Sequence, residues 1–191
     1  KAIADPFDDV FMGVGGHPHE AGDAGINAPD PLLALAEDPK MVGVGETGLD
    51  YYYDFAPKAA QRRSFEAHIP AARALDMPLI IHTRDADEDT IAILREHWQD
   101  GPFAILIHCF TGGQALADAV VEMEGFLSLS GITTFKSAEA LRQVLDSVPD
   151  ERLLVETDAP FLAPTPHRGK PNELAFVAHT AAFWAERKGL S

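Results

Sequence analysis

The chain has 191 residues, of which 46% are hydrophobic and 24% charged, and its formal net charge is −15. This composition is typical of one globular domain with a sizeable core, and the acidity argues against a broad basic surface for nucleic acid. No apolar stretch approaches the roughly 18–20 residues that cross a membrane, so we expect no membrane partner and no signal peptide. The single cysteine, Cys109, excludes an intramolecular disulfide and favours a reducing cytoplasm.

Hydrophobic runs alternate with helical patterns along the whole chain. Strands are predicted at residues 11–16, 42–46, 78–83, 104–110, 126–131 and 153–158. Helices are predicted at residues 31–36, 61–75, 90–97, 114–123, 138–148 and 173–188. Strands that alternate with helices form parallel βα units, so we expect one domain over residues 1–191.

The number of predicted strands favours an incomplete barrel. A doubly wound open sheet needs helices on both faces and a switch point, whereas a closed TIM-type barrel needs eight strands. We therefore expect an α/β fold, a TIM-type (β/α) barrel that lacks its first two βα units and its extreme C-terminus. The missing units would lie upstream of Lys1.

Four of the predicted strands end in a residue that can bind a metal. The runs are VGVGE, PLIIH, AILIH and LLVETD, and the residues are Glu46, His82, His108 and Asp158. Catalytic groups of barrel enzymes lie at the carboxyl ends of strands. Spacings from Glu46 to His82 and on to His108 each fit one βα step of roughly 30 residues, and the last spacing fits two. The pattern predicts one polar site in a metal-dependent hydrolase.

Each of these residues also has a structural interpretation. Glu46 alone could cap a helix, and His82 or His108 alone could be a buried core histidine. Together, the four favour a site for Zn²⁺, Mn²⁺ or Mg²⁺. Asp158 can bind one metal and accept a proton from a metal-bound water. We expect Glu156 to face away from Asp158 and to serve only the structure.

Six motifs span nearly the whole chain. They are GETGLDYYYD (45–54), IIHTRDA (80–86), HCFTG (108–112), SLSG (128–131), ETDAP (156–160) and PHRGKPNE (166–173). In this order they resemble the TatD family of metal-dependent deoxyribonucleases, which are amidohydrolase-like barrels. The resemblance implies an exonuclease whose partner is a DNA substrate, as single strands or ends.

The resemblance also implies two divalent metal ions, Mg, Mn or Zn. Glu46 would bridge the metals, and His82 and His108 would hold one of them. Asp158 would help to hold the other and would act as general base, so Glu46 and Asp158 are the catalytic candidates. Two metals about 4 Å apart would clamp a phosphodiester and activate a water for in-line attack.

One element of the family pattern is missing from this sequence. The family carries a His-x-His pair on its first strand, and we expect that pair upstream of Lys1. His17 and His19 have the same spacing, but they follow the strand that precedes Glu46. We therefore interpret them as facing the substrate or packing the site, and His17 is a substrate-binding candidate.

Further substrate contacts are predicted from cationic and aromatic residues. Arg84 follows His82, and Arg168 and Lys170 lie in the loop after the last strand, so all three could bind phosphate. The alternatives are a salt bridge from Arg84 to Asp85 or Asp87, and a solvated loop for the other two. Tyr51, Tyr52, Tyr53 and Phe55 could stack on bases, although burial against the barrel is the favoured interpretation.

Two other functions stay open. The same site could hydrolyse another ester or amide bond, such as the ester of aminoacyl-tRNA. Alternatively, the chain could be a non-catalytic, degenerate barrel that binds a partner. Cleavage of a labelled strand in the presence of Mn²⁺ or Mg²⁺ separates these functions.

Overall fold

The computed structural model describes residues 2–22, 25–35 and 38–190. Within these ranges the β-strands are β1 (Met12–Val14), β2 (Met41–Asp50), β3 (Leu79–Arg84), β4 (Ile105–Ile107), β5 (Phe126–Leu129) and β6 (Leu153–Val155). The α-helices are α1 (Asp30–Leu33), α2 (Lys58–Leu75), α3 (Asp87–Gln99), α4 (Gln114–Glu122), α5 (Glu139–Asp146) and α6 (Val177–Lys188). Strand and helix alternate as predicted.

The strand order of the sheet is β1-β2-β3-β4-β5-β6. β1 pairs with β2, β2 with β3, and β5 with β6, all in parallel. Parallel neighbours joined by helices are the repeating unit of a TIM-type (β/α) barrel, and this arrangement confirms the predicted fold class.

The chain divides into two compact units, Lys1–Leu106 and Ile107–Ser191. The core of the first unit is formed by α2, α3 and the strands β2 and β3. Its fully buried side chains include Leu49, Phe65, Ile69, Leu79, Ile81, Ile93 and Leu94. α2 begins at Lys58, directly after Pro57, and ends at Leu75, where the next residue, Asp76, has a left-handed φ of 50°.

The second unit has its own core between β5, α4, α5 and α6. Its buried apolar side chains include Leu116, Val120, Leu127, Leu129, Leu145 and Trp184. The indole N–H of Trp184 donates a hydrogen bond to Thr133 Oγ1 at 2.8 Å. The nearly buried guanidinium of Arg142 donates to the carbonyl oxygens of Thr133 and Phe135, at 2.8 and 2.7 Å. These bonds satisfy polar groups that burial would otherwise leave unpaired.

Several element boundaries differ from the predictions. β2 continues to Asp50, four residues beyond its predicted end, and β6 ends at Val155, three residues before its predicted end. α6 begins at Val177, because Leu174–Phe176 forms a 3-10 turn ahead of it. α1 ends at Leu33, and the last residue of that predicted helix, Ala36, lies outside the described residues.

The length and hydropathy of a helix determine whether it can span a membrane. Across the described part of the chain, no helix is both long enough and apolar enough to cross a bilayer.

Candidate functional site

Glu46 lies inside β2 rather than at its end. Between Val44 and Thr47, β2 has one residue more than the facing segment of β3, which is a β-bulge. Bulges turn side chains away from the regular alternation and are frequent beside active sites. Gly45, just before Glu46, has φ +140°, and a Cβ there would lie 2.4 Å from Ile80 O. Glycine is therefore required where the chain turns Glu46 out of the ladder.

His82 is the fourth residue of β3 and pairs in register with Gly48 of β2. Gly48 has φ +130°, and a Cβ there would lie 2.0 Å from the His82 carbonyl oxygen. The second glycine of GETGLD therefore permits β2 and β3 to approach closely at the histidine. His82 Nδ1 lies 3.1 Å from Glu46 Oε1, so the structure brings these two predicted ligands together.

Asp50 is a buried carboxylate at the end of β2, and its side chain has no exposed surface. Its Oδ1 accepts hydrogen bonds from the backbone N–H groups of Tyr52 and Tyr53, at 3.0 and 2.9 Å. Its Oδ2 lies 2.9 Å from His19 Nε2 and 3.0 Å from His82 Nε2. Burial by itself raises the pKa of this carboxyl, but the Tyr53 N–H and the two imidazoles outweigh it and hold the pKa below its usual value.

The ionised Asp50 assigns the tautomer of His82. A carboxylate only accepts hydrogen bonds, so His82 donates to it from Nε2 and carries its lone pair on Nδ1. That lone pair faces Glu46 Oε1 at 3.1 Å. Two ligand atoms of one divalent ion lie about 3 Å apart when each is about 2.1 Å from the ion. The Glu46–His82 pair therefore fits a divalent metal.

Glu46, Asp50 and His82 form the polar group of the first unit, and His17 and His19 also contact it. His17, His19 and His82 each offer a ring nitrogen, and these atoms lie within 4.8 Å of one another, close enough to bind one ion. However, His17 Nδ1 accepts the backbone N–H of His19 at 3.2 Å, so its proton belongs on Nε2, which lies 3.5 Å from Glu46 Oε1. This tautomer makes His17 a hydrogen-bond donor toward the site.

His68, which the sequence analysis missed, supports the loop before His17. Its Nδ1–H donates to Ser64 O at 2.7 Å, and its Nε2 accepts the N–H of Gly16 at 2.9 Å. The ring is fully buried, and this burial lowers its pKa, although the Ser64 carbonyl acts in the opposite direction. A neutral His68 thus fixes the backbone that presents His17.

The second unit carries a separate polar group around His108, the first residue after β4. His108 Nδ1 lies 2.9 Å from both carboxylate oxygens of Glu156, and Oε2 accepts its hydrogen bond. His108 Nε2 lies 3.5 Å from Asp158 Oδ1. The prediction that Glu156 faces away from Asp158 and serves only the structure is wrong, because both carboxylates contact the ring of His108.

The Glu156 carboxylate gives His108 the same kind of orientation that His82 receives from Asp50. With its proton on Nδ1, His108 carries the lone pair on Nε2, toward Asp158. Within the described residues, Glu156 Oε1 is buried and accepts no hydrogen bond. A histidine held by a carboxylate, with its second nitrogen facing another carboxylate, is a common arrangement around metals. This group also fits a divalent ion.

The predicted cations lie on two loops. Arg84 stacks on the ring of Tyr52, with Cζ 3.8 Å from the centroid, and forms no ion pair in residues 2–22, 25–35 and 38–190. The alternative of a salt bridge to Asp85 or Asp87 is therefore wrong. In the second unit, Arg168 lies 4.3 Å over the Phe135 ring, and Lys170 is exposed.

Comparison with known proteins identifies the family. The model of the family described as TatD related DNase matches residues 1–191. The metal-dependent hydrolase YcfH of Escherichia coli K12 is 44% identical over 189 residues, covering 96% of this chain and 68% of its own.

A second relative, from Salmonella typhimurium LT2, is named as the 3'-5' ssDNA/RNA exonuclease TatD. It is 35% identical over 190 residues, covering 95% of this chain and 73% of its own. The crystal structure of YjjV, a TatD homologue from Escherichia coli K12, matches with a TM-score of 0.85 and 26% identity, over 97% of this chain and 71% of that one. The protein therefore belongs to the TatD family of metal-dependent hydrolases.

Proposed function

We propose that this metal-dependent hydrolase is a deoxyribonuclease that removes nucleotides from the ends of single-stranded DNA. The proposal is supported by the Salmonella typhimurium relative, whose name states a 3'-5' exonuclease for single-stranded DNA and RNA. It is also supported by the two carboxylate-held histidines, which suit divalent ions and thus hydrolysis of a phosphodiester. With its single cysteine, we place the enzyme in a reducing cytoplasm.

We assign Glu46, His82, His108 and Asp158 as ligands of two divalent metal ions. Each histidine has one ring nitrogen held by a carboxylate and the other directed at a second carboxylate. When bound, the metals neutralise phosphate charge and lower the pKa of a water.

The side chains around these ligands have distinct roles in the proposed reaction. Asp158 accepts the proton of the attacking water, as its place after β6 and its contact with His108 allow. His17 donates from Nε2 to a phosphate oxygen. Arg84, Arg168 and Lys170 hold the remaining phosphate charge.

The test is cleavage of a single-stranded oligonucleotide labelled at its 3′ end. In Mn²⁺ or Mg²⁺ the protein should release labelled mononucleotide, and EDTA should stop the release. Asp158→Asn should lower kcat by about 10²–10⁴-fold, the range that general bases contribute. Asp118→Asn, which changes an exposed aspartate on α4, is the matched control and should leave kcat unchanged.

The other outcomes are equally informative. Release of amino acid from aminoacyl-tRNA, without release of nucleotides, would replace the nuclease with another esterase. Absence of hydrolysis under every divalent metal would leave a binding protein. Elemental analysis of the purified protein gives the number and identity of the metals, and fewer than two per chain would contradict the two-metal assignment.

A further inference from the structure

The loop after β2 presents three aromatic side chains to solvent. Tyr52 is 57% exposed, Tyr53 40% and Phe55 66%, so burial against the barrel, the favoured interpretation of the sequence, is wrong for them. The planes of Tyr53 and Phe55 are 16° apart with centroids 5.2 Å apart, and Tyr52 meets Tyr53 edge-on at 4.8 Å. We call Tyr52, Tyr53 and Phe55 the aromatic platform. Contiguous exposed aromatic side chains are characteristic of interaction surfaces.

The backbone beneath the aromatic platform is fixed before any ligand arrives. Asp50 Oδ1 accepts the N–H groups of Tyr52 and Tyr53. Gln61 closes the loop, because its Nε2 donates to Asp50 O at 3.0 Å and to Ala56 O at 2.9 Å. The fold has already ordered this loop, so a ligand that binds here loses little free energy in ordering it.

A cation lies against the same rings. Arg84 Cζ lies 3.8 Å from the Tyr52 centroid and 5.0 Å from that of Tyr53. Since no carboxylate neutralises it within the described residues, its donors are available to an anion. The chain as a whole has a formal net charge of −15, so Arg84 provides a local positive charge for an anionic ligand on an otherwise acidic protein.

The aromatic platform is continuous with the polar group of the first unit. The His19 ring lies 4.8 Å from Phe55 and 5.3 Å from Tyr53. His19 in turn shares Asp50 Oδ2 with His82. A ligand with a phosphate at His82 and Glu46 would therefore bring a group attached to that phosphate onto the aromatic platform.

We propose that the aromatic platform stacks an unpaired nucleobase while Arg84 binds a phosphate of the same strand. This inference rests on the proposed function, which supplies the strand. Every base has a π face, so stacking accepts any sequence but requires a base that is not already stacked in a duplex. The aromatic platform thus selects single-stranded DNA or frayed ends.

The experiment measures binding without turnover. A fluorescent single-stranded oligonucleotide is titrated with wild-type protein, Phe55→Leu and Tyr53→Leu, in EDTA and in Ca²⁺, and anisotropy gives Kd. Leucine keeps the apolar character and removes the ring. Each variant should raise Kd about tenfold, the size expected for one lost base stack. Phe7→Leu, at a similarly exposed ring in the same unit, is the control and should leave Kd unchanged.

Oligonucleotides with a single abasic nucleotide at successive positions locate the stacked base. At one position the abasic strand should already bind about tenfold more weakly to wild type, and Phe55→Leu should add no further loss. If Phe55→Leu raised Kd equally for the normal strand and for every abasic strand, or left Kd unchanged for all of them, the inference would be overturned. A change in sedimentation of Phe55→Leu without a change in strand binding would also overturn it and would assign the aromatic platform to self-association.

Parallel cleavage assays separate this inference from the proposed function. Binding that depends on Phe55, in a protein that cleaves no strand, would retain the aromatic platform and reject the nuclease. Cleavage whose KM is the same in wild type and Phe55→Leu would retain the nuclease and reject the aromatic platform.

Discussion

In the polar group of each unit, a carboxylate orients a histidine by a hydrogen bond to its ring. The two groups differ in how many donors hold that carboxylate in place. In the first unit, Asp50 is completely buried, and its two oxygens accept two backbone N–H groups and two imidazoles. In the second, Glu156 receives one imidazole, and its Oε1 accepts no hydrogen bond in the described structure. Four donors hold the two oxygens of Asp50, whereas one imidazole, 2.9 Å from both oxygens, holds Glu156.

This difference determines how each group should respond when the carboxylate becomes an amide. An amide has one accepting oxygen and one donating nitrogen, so its orientation follows its strongest partners. At residue 50 the backbone N–H groups of Tyr52 and Tyr53 need an acceptor, so the amide oxygen takes the position of Oδ1. The amide nitrogen then takes the position of Oδ2 and faces the two histidines. At residue 156 the amide oxygen can stay on His108 Nδ1. Because Oε1 accepts no backbone N–H in the described structure, the side chain can rotate the nitrogen away from Nδ1, which lies 2.9 Å from Oε1.

Asp50→Asn should therefore have the larger effect. Its amide nitrogen would donate to His82 Nε2, move the imidazole proton to Nδ1 and direct an N–H at Glu46. The affinity for Mn²⁺ or Zn²⁺ should fall about 100-fold, the upper end for loss of a group that orients a metal ligand. Calorimetric titration gives the affinity, and ¹⁵N NMR of the imidazoles reports the tautomer, with His82→Gln identifying the signal.

Asp54→Asn is the matched control, because Asp54 is exposed and lies in the same loop. It should change neither the metal affinity nor the tautomer. If Asp50→Asn loses stability but keeps the wild-type tautomer and affinity, Asp50 acts only on the loop and not on His82.

Glu156→Gln should have the smaller effect. Its amide oxygen can still accept from His108 Nδ1, so the tautomer is kept and only the negative charge is lost. Metal affinity should fall about tenfold, the lower end of the same range. Glu151→Gln, at an exposed position on the turn before β6, should leave the affinity unchanged. A loss from Glu156→Gln as large as that from Asp50→Asn would contradict the proposed difference between the carboxylates.

The sequence predicted most of the framework because hydrophobic runs and helical spacing report burial directly. All six strands and the helices between them were located, and the βα spacing placed Glu46, His82, His108 and Asp158 after or within strands. The roles of Asp50 and Glu156 were accessible in principle. Residues two or four apart share a face of an extended chain, which relates Glu156 to Asp158 and Asp50 to Glu46.

Other features depend on contacts that no local pattern encodes. The bulge that turns Glu46 out of β2 depends on the register with β3. His68 lies on the buried face of α2, and helical spacing predicts that it is buried, but the sequence does not reveal Gly16 as its partner. Exposure of Tyr52, Tyr53 and Phe55 follows from how Asp50 anchors the loop.

The smallest expected effect is that of His68 on the free energy of unfolding, because His68 supports only the loop before His17 in the first unit. Its pKa in the folded protein lies below the ordinary 6.5, so the unfolded chain binds the proton more tightly. The neutral ring contributes stability that is fully present above pH 6.5 and is lost as pH falls through the folded pKa. The free energy of unfolding from urea titration should therefore fall between pH 8 and pH 5.

His68→Gln should remove part of that pH dependence. At pH 8 the variant should lose about 1 kcal/mol, the net value of a hydrogen bond, because glutamine cannot reach both Ser64 O and the Gly16 N–H with ring geometry. At pH 5 wild type and variant should differ less, since the wild-type ring no longer contributes its full stability. His97→Gln on α3 serves as the control and should preserve the wild-type slope. A difference between wild type and His68→Gln that is constant from pH 8 to pH 5 would show that His68 acts by packing and not by its neutral hydrogen bonds.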